Sequence, residues 1–213
     1  MDRPVENFSL IETLRFEPET GFVRLRLHLA RLQRSVRRLG FAAPKNVLGK
    51  LEEAVAGAAA PLRVRLTLDR EGQAEVTTAP FVPLWPDTVW RLRIAATRLD
   101  SSDKKLRFKT TRRGIYDAAR AECRPDEADE VLLLNEKDEV CEGTITSVFL
   151  EDSADLLRTP PISAGLLAGV LRTELICQRK ARVGRIRLDD LKDRPLYVGN
   201  SLRGLIRAQL LWN

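Results

Sequence analysis

The chain has 213 residues, enough for one large domain or two small ones, and its 44% hydrophobic content is sufficient for a core. A formal net charge of +6 favours anionic partners, phosphates or carboxylates, without choosing between them. Three scattered cysteines (Cys123, Cys141, Cys177) form no CxxC pair. They argue against a disulfide framework or a thiolate zinc site and fit a reducing cytoplasm. The single histidine, His28, is too few for most catalytic zinc sites and reads as structural, so acid–base work falls to lysine, carboxylate or tyrosine. No signal peptide follows Met1-Asp2-Arg3-Pro4, and no apolar run is long enough to cross a bilayer.

In chain order, Phe8 to Phe16 reads as a strand, residues 18–21 as a turn, and Val23 to Leu27 as a returning strand. The period then becomes helical from His28 to Leu39, with Leu29, Leu32, Val36 and Leu39 on one face and Gly40 as the stop. Arg31, Arg34 and Arg38 line another side. Asn46 can cap a second helix to about Ala56, and Leu62 to Leu68 with Ala74 to Thr78 predicts a hairpin. The three prolines of Ala79 to Thr88 mark a linker, which divides the chain into domains at 1–84 and 85–213. Beyond it come a strand at Val89 to Ala96, a basic loop at Ser101 to Phe108, and a helix at Thr110 to Ala121. A buried strand at Val131 to Leu134 and a charged turn precede a second strand from Glu139 to Leu150. A helix from Leu166 and short strands at Arg182 to Ile186, Leu196 to Val198 and Leu205 to Leu210 complete a mixed α/β chain.

Glu142 stands out on the strand from Glu139 to Leu150. A carboxylate on a half-buried strand needs a cation or hydrogen-bond donors, and Gly143 beside it signals a close approach to the backbone. An edge strand with its acid in water is the alternative. Lys109 sits at the join of a loop and a helix, a suitable place for a reactive amine, although a solvated lysine in a basic stretch fits equally. The start of the helix in GLLAGVLR offers N–H groups to a phosphate, or is a plain helix start with packing glycines. Val198-Gly199-Asn200-Ser201 adds small polar donors at a strand end.

Taken together, these stretches resemble the class IV aminotransferases, the fold-type IV enzymes that use pyridoxal 5′-phosphate (PLP). The resemblance is carried by ETL…HLARL at Glu12 to Leu32, KTTRRGIYD at Lys109 to Asp117, LLNEKDEVCEGTITSVF at Leu133 to Phe149, TPPISAGLLAGVLR at Thr159 to Arg172, and NSLRG at Asn200 to Gly204. The KTTRR and NSLRG forms look most like the 4-amino-4-deoxychorismate lyase branch. The resemblance implies two small mixed α/β domains of the D-amino acid aminotransferase-like kind, with the second carrying the PLP lysine. It implies that Lys109 carries PLP covalently and moves the proton, that Glu142 meets the pyridine nitrogen, and that Arg31 holds the phosphate. The amides of Val170 and Leu171, with Asn200 and Ser201, would add phosphate contacts. Thr13 of the ETL motif, Arg113 and Arg203 would face an anionic substrate. Leu171 stands where many relatives have threonine, and Ser147 where many have asparagine. The opening strand and tyrosine/glycine turn of longer relatives are absent, which implies a reduced substrate wall.

Three functions follow as expectations. The first is a cytoplasmic, homodimeric lyase of folate biosynthesis, making 4-aminobenzoate and pyruvate from 4-amino-4-deoxychorismate. The second is an aminotransferase of branched-chain or D-amino acids using the same lysine. The third, a nucleic-acid binder using the arginines after His28, lacks interleaved aromatics and any recognised motif. The expected partner is therefore a small anionic substrate, with no nucleic acid, membrane or metal.

Overall fold

Apolar alternation and helical period separate the chain into two units, seen in a computed structural model that describes residues 7–153, 156–192 and 194–212. The reading of Met1 to Pro4 lies outside the described residues. Residues 1–82 and 108–112 group as one unit, and 83–107 with 113–213 as the other. The divide falls two residues before the expected boundary after Leu84. The segment 108–112 joins the first unit because its backbone pairs with that unit's first strand: Ile11 N–H donates to the Lys109 carbonyl at 2.9 Å, and Thr111 N–H to Ser9 at 2.9 Å. Lys109 is thus grouped with the first unit, not with 85–213.

The first unit contains β1 (Leu10–Glu17), β2 (Gly21–Phe22), α1 (Leu25–Leu39), α2 (Val47–Ala54), β3 (Leu62–Leu68) and β4 (Ala74–Pro80), with sheet order β2-β1-β3-β4. Leu10 and Leu14 of β1 pack with Leu32 and Val36 of α1 and with Val64, Leu66 and Leu68 of β3. The strand expected at Val23 to Leu27 is not formed. Gly21 and Phe22 pair back onto β1 and Val23 N–H still reaches Arg15 O at 2.8 Å, but Arg24 then takes a left-handed backbone (φ 59°) and α1 starts at Leu25. Leu25 and Leu29 extend the helical period backwards, and this outweighs the β-branched start at Val23. Gly40 ends the helix in the left-handed conformation (φ 68°), as its position predicts. Asn46 precedes α2 but caps through its own left-handed backbone (φ 47°), with no side-chain cap bond.

The second unit contains β5 (Val89–Leu99), α3 (Gly114–Ala121), β6 (Glu130–Asn135), β7 (Val140–Gly143), β8 (Ser147–Ser153), β9 (Leu156–Thr159), α4 (Val170–Cys177), β10 (Ala181–Val183), β11 (Leu196–Asn200) and β12 (Gly204–Leu210). The pairings β6–β7, β7–β8, β8–β11, β11–β12, β12–β5 and β5–β6 form a closed ring, and β9–β10 extends from β8. Closure explains the continuous apolar run of β6. Leu132 and Leu134 pack with Leu92, Val148, Val198 and Ile206, while Val131 and Leu133 pack with Ala95 and with Ala119 of α3. Two helices start later than their sequences predict. Thr110 to Arg113 precede α3 because Thr110 bridges to Leu10 of β1. Leu166 to Gly169 stay outside α4, with Gly169 N–H bonded to Leu167 O at 2.9 Å and Leu167 N–H turned to a side chain on β7.

The single strand expected from Glu139 to Leu150 is two strands, β7 and β8, reversed at Thr144-Ile145-Thr146. A carboxylate causes the reversal. Glu130, 1% exposed, accepts from Thr144 N (3.1 Å), Thr144 Oγ1 (2.6 Å), Ile145 N (3.1 Å) and Thr146 Oγ1 (3.0 Å). The two strands meet at the pair Glu142–Ser147, and Gly143 N–H bonds Thr146 O at 2.8 Å. A Cβ on Gly143 would lie 2.3 Å from Thr146 Oγ1 and 2.8 Å from Glu130 Oε2, so the glycine admits the acid. Glu130→Gln replaces an acceptor-only group with one that must present an NH₂ to these donors. The expected loss is about 2–4 kcal/mol of unfolding free energy by urea titration, several times that of Glu136→Gln on the exposed turn.

Candidate active site

The expected site residues fall into two groups, one in each unit. In the first unit the group is built on β1 and α1. Glu12 shares strand parity with Leu10 and Leu14 and therefore points where they do, toward α1. There His28 and Arg31, three residues apart on one helical face, receive it. Arg31 donates from Nε to Oε1 at 2.8 Å and from Nη2 to Oε2 at 2.6 Å, a bidentate fork, and His28 Nδ1 lies 2.6 Å from Oε2. All three are buried, at 2% (Glu12), 1% (His28) and 7% (Arg31) exposure, whereas Arg34, Arg37 and Arg38 are exposed. The arginine stripe read from the sequence is thus one buried ligand of an acid and three solvated neighbours.

Burial opposes the charge on Glu12, but the Arg31 guanidinium and its hydrogen bonds, with those of His28, outweigh it and hold the carboxyl at about 2. His28 moves down from its ordinary value: burial and the nearby charges of Arg31 and Lys109 outweigh the Glu12 bond. A neutral imidazole then donates Nδ1–H to Glu12. Lys109 is half-buried on the segment paired to β1, not at a helix start, and its charge is felt by His28. Thr13 is half-buried on β1, opposite Arg65 of β3.

In the second unit Glu142 is 5% exposed on β7, which overturns the edge strand with its acid in water. Its Oε1 accepts from Tyr116 Oη at 2.8 Å and from Leu167 N–H at 3.2 Å. Val170 and Leu171 form the buried first turn of α4, whose N-cap Gly169 supplies no side-chain bond. A Cβ on Gly169 would lie 2.5 Å from Ser147 Oγ, and one on Gly199 2.8 Å from Leu171 Cδ2. Both glycines let backbone crowd the start of this helix.

The Asn200 side chain is occupied by structure: Oδ1 accepts from Leu202 N (3.1 Å) and Arg203 N (3.0 Å), and Nδ2 donates to Ile145 O at 3.2 Å. Ser201 is buried beside it. Arg113 donates to Thr144 O at 2.8 Å and stacks on Tyr116 with its guanidinium 5.1 Å from the ring centre; Arg203 lies 5.7 Å from the Trp90 ring centre. Arg113 and Asn200 thereby hold the two successive carbonyls of the turn that Glu130 forms.

Sequence reading did not single out Glu12, Tyr116 or Glu130 as functional. The strand parity of Glu12 with the spacing of His28 and Arg31 carried a signal for the first. A buried Glu142 requires donors, but nothing local nominated Tyr116, 26 residues away along the chain.

Two outcomes follow from the Glu12 cluster. Its folded value lies below the ordinary 4.5, and that of His28 below the ordinary 6.5, so each contributes stability above the unfolded value that is lost as pH falls. The urea midpoint should be flat above pH about 6.5, decline below it, and decline again between about 4.5 and 2. His28→Asn should abolish the upper step and leave the lower one. Arg31→Ala leaves a buried carboxylate without its cation and should lower unfolding free energy by about 3–5 kcal/mol, while Arg34→Ala stays within about 0.5 kcal/mol.

The amino-transferase class IV family model matches residues 9–211. A provisionally assigned amino-acid aminotransferase from Mesorhizobium loti is 49% identical, with 96% of this chain and 100% of that one covered and a TM-score of 0.93. A provisionally assigned 4-amino-4-deoxychorismate lyase is 27% identical, with coverage of 98% and 88% and a TM-score of 0.81. A provisionally assigned branched-chain amino acid aminotransferase from Thermotoga maritima, 21% identical over 96% of this chain and 77% of its own, shares the fold with a TM-score of 0.82. No curated protein sequence matches the chain. With nearly its whole length matched and its mixed α/β architecture shared by these structures, the chain belongs to the class IV aminotransferases, a family of PLP-dependent enzymes.

Proposed function

We propose that the chain is a PLP-dependent lyase that converts 4-amino-4-deoxychorismate to 4-aminobenzoate and pyruvate. The observation that carries its PLP chemistry is Glu142, a buried carboxylate on barrel strand β7 held by the Tyr116 hydroxyl and the Leu167 amide. The donor set suits PLP. Glu142 is an anionic partner for a protonated ring nitrogen, and the crowded, uncapped start of α4 supplies Val170 and Leu171 amides to a phosphate. We assign Lys109 to the covalent attachment of PLP and to proton transfer, Arg31 to the phosphate, and Ser201 with the Asn200 turn to a further phosphate contact. Bound PLP supplies an electron sink for the bond-breaking step.

The protein's part in the lyase reaction is small. Lys109 removes the proton from the amine-bearing ring carbon. The C–O bond to the enolpyruvyl group breaks, the ring becomes aromatic, and pyruvate leaves as its enol and takes up a proton. No second substrate has to enter. The KTTRR and NSLRG forms and the 27% identical lyase-like structure support this reading. Thr13 and Arg203 are assigned to the substrate carboxylates; Arg113, committed to Thr144 O, is assigned to shaping the adjacent turn and reaching substrate from there. The 49% identical Mesorhizobium loti structure, provisionally assigned as an amino-acid aminotransferase, favours a second reading: transamination by the same Lys109 and Glu142. We also propose a homodimer working in the cytoplasm.

The purified protein should be yellow, and borohydride should fix the mass of PLP on the peptide containing Lys109. 4-Amino-4-deoxychorismate made in situ should yield 4-aminobenzoate and pyruvate in equal amounts, and Glu142→Gln should retain PLP while losing about two to four powers of ten in turnover. Amino acid with 2-oxoglutarate is assayed in parallel. Rapid transamination with no 4-aminobenzoate replaces the lyase with the second reading; a label on another lysine rejects the site.

A further inference from the structure

We infer that Tyr116 is a positioning residue of the cofactor site, orienting the Glu142 carboxylate through its hydroxyl; this rests on the reading of Glu142 as partner of the PLP ring nitrogen. Tyr116 lies in the first turn of α3, and its hydroxyl reaches Glu142 Oε1 at 2.8 Å. The second donor to that oxygen, Leu167 N–H at 3.2 Å, comes from the segment before α4. The carboxylate is thus gripped at one oxygen from two separate elements, which sets the plane of the group. These two donors fix the direction of the acid, and the buried Arg172 guanidinium lies within reach of its charge.

The tyrosine is itself held in place. Its ring packs on the cluster of Ala95, Leu133 and Leu166, and Arg113 stacks over it while bonded to Thr144 O, in the turn directly after β7. Burial first, and then the Glu142 charge, push the phenol above its ordinary range. It therefore remains a donor at every pH the enzyme meets. Hydrogen bonding of this kind adjusts both the direction and the basicity of an acceptor carboxylate, and for a ring-nitrogen partner these two properties decide how well the proton is held on the cofactor.

The test is a double-mutant cycle on PLP affinity, with turnover as a second measurement. Tyr116→Phe retains the packing ring and removes only the hydroxyl. PLP titrated into the apoprotein should bind roughly three- to tenfold more weakly in this variant, because the lost hydrogen bond acts on the cofactor only through Glu142. In whichever of the two assays is positive, kcat should fall by about tenfold with KM changed by less than about twofold. In the Glu142→Gln background, the same substitution should change PLP affinity by less than about twofold, because the group it orients is gone. Wild-type affinity in Tyr116→Phe, or an equal loss in both backgrounds, overturns the inference and leaves Tyr116 as a packing residue. A wild-type protein with no PLP fixed on Lys109 instead overturns the cofactor reading, and this inference with it.

Discussion

A carboxylate removed from water must be met by donors, and the three most buried glutamates on the strands show how this structure does it. Glu12, Glu130 and Glu142 are all 5% exposed or less. Left bare, any one of them would oppose folding by several kcal/mol. Each is met differently. Glu12 receives a guanidinium fork and an imidazole. Glu130 receives two amides and two hydroxyls from one tight turn. Glu142 receives a phenol and an amide. The first arrangement ties a helix to a strand, the second reverses a strand, and the third presents an acid.

These differences explain what was legible in the sequence. Periodicity located α1, the β3–β4 hairpin and β12 because each element's apolar residues sit on surfaces that its own period defines, and an unbroken apolar run located β6. The barrel was not legible, since ring closure is a matter of pairing between strands distant in sequence. The reversal at Thr144-Ile145-Thr146 was hidden for a related reason. Those residues are strand formers by type, and the acid that turns them lies fourteen residues earlier, on β6. Strand propensity measures fit to a half-buried pleated surface, and a buried carboxylate that must gather donors overrides it.

The candidate residues were legible where they are charged, and their supports were not. Glu142 and Arg31 drew notice because a lone acid on an apolar strand and a basic residue on a helix face are visible locally. Tyr116 is chemically plain and acts only through its partner. Asn200 and Arg113 were read as ligands because they are polar and near motif positions. Their side chains hold the carbonyls of Ile145 and Thr144. Together with Glu130 they leave the turn between β7 and β8 fixed from both its N–H and its C=O sides.

The choice of partner sets what each acid can still do. Glu12, matched by the Arg31 cation, has its charge neutralised locally and its carboxyl held at about 2, so across the working range it is a fixed structural anion. Glu130 has its lone pairs distributed over a turn and serves geometry. Glu142 takes hydrogen bonds from a phenol and an amide, and the buried Arg172 guanidinium lies within reach of its charge, so it is oriented by one set of groups and balanced by another. The same reasoning separates Arg31 from Arg34 and Arg38 on one helix: identical in chemistry, they differ because only Arg31 faces an acid already buried by the strand beneath it.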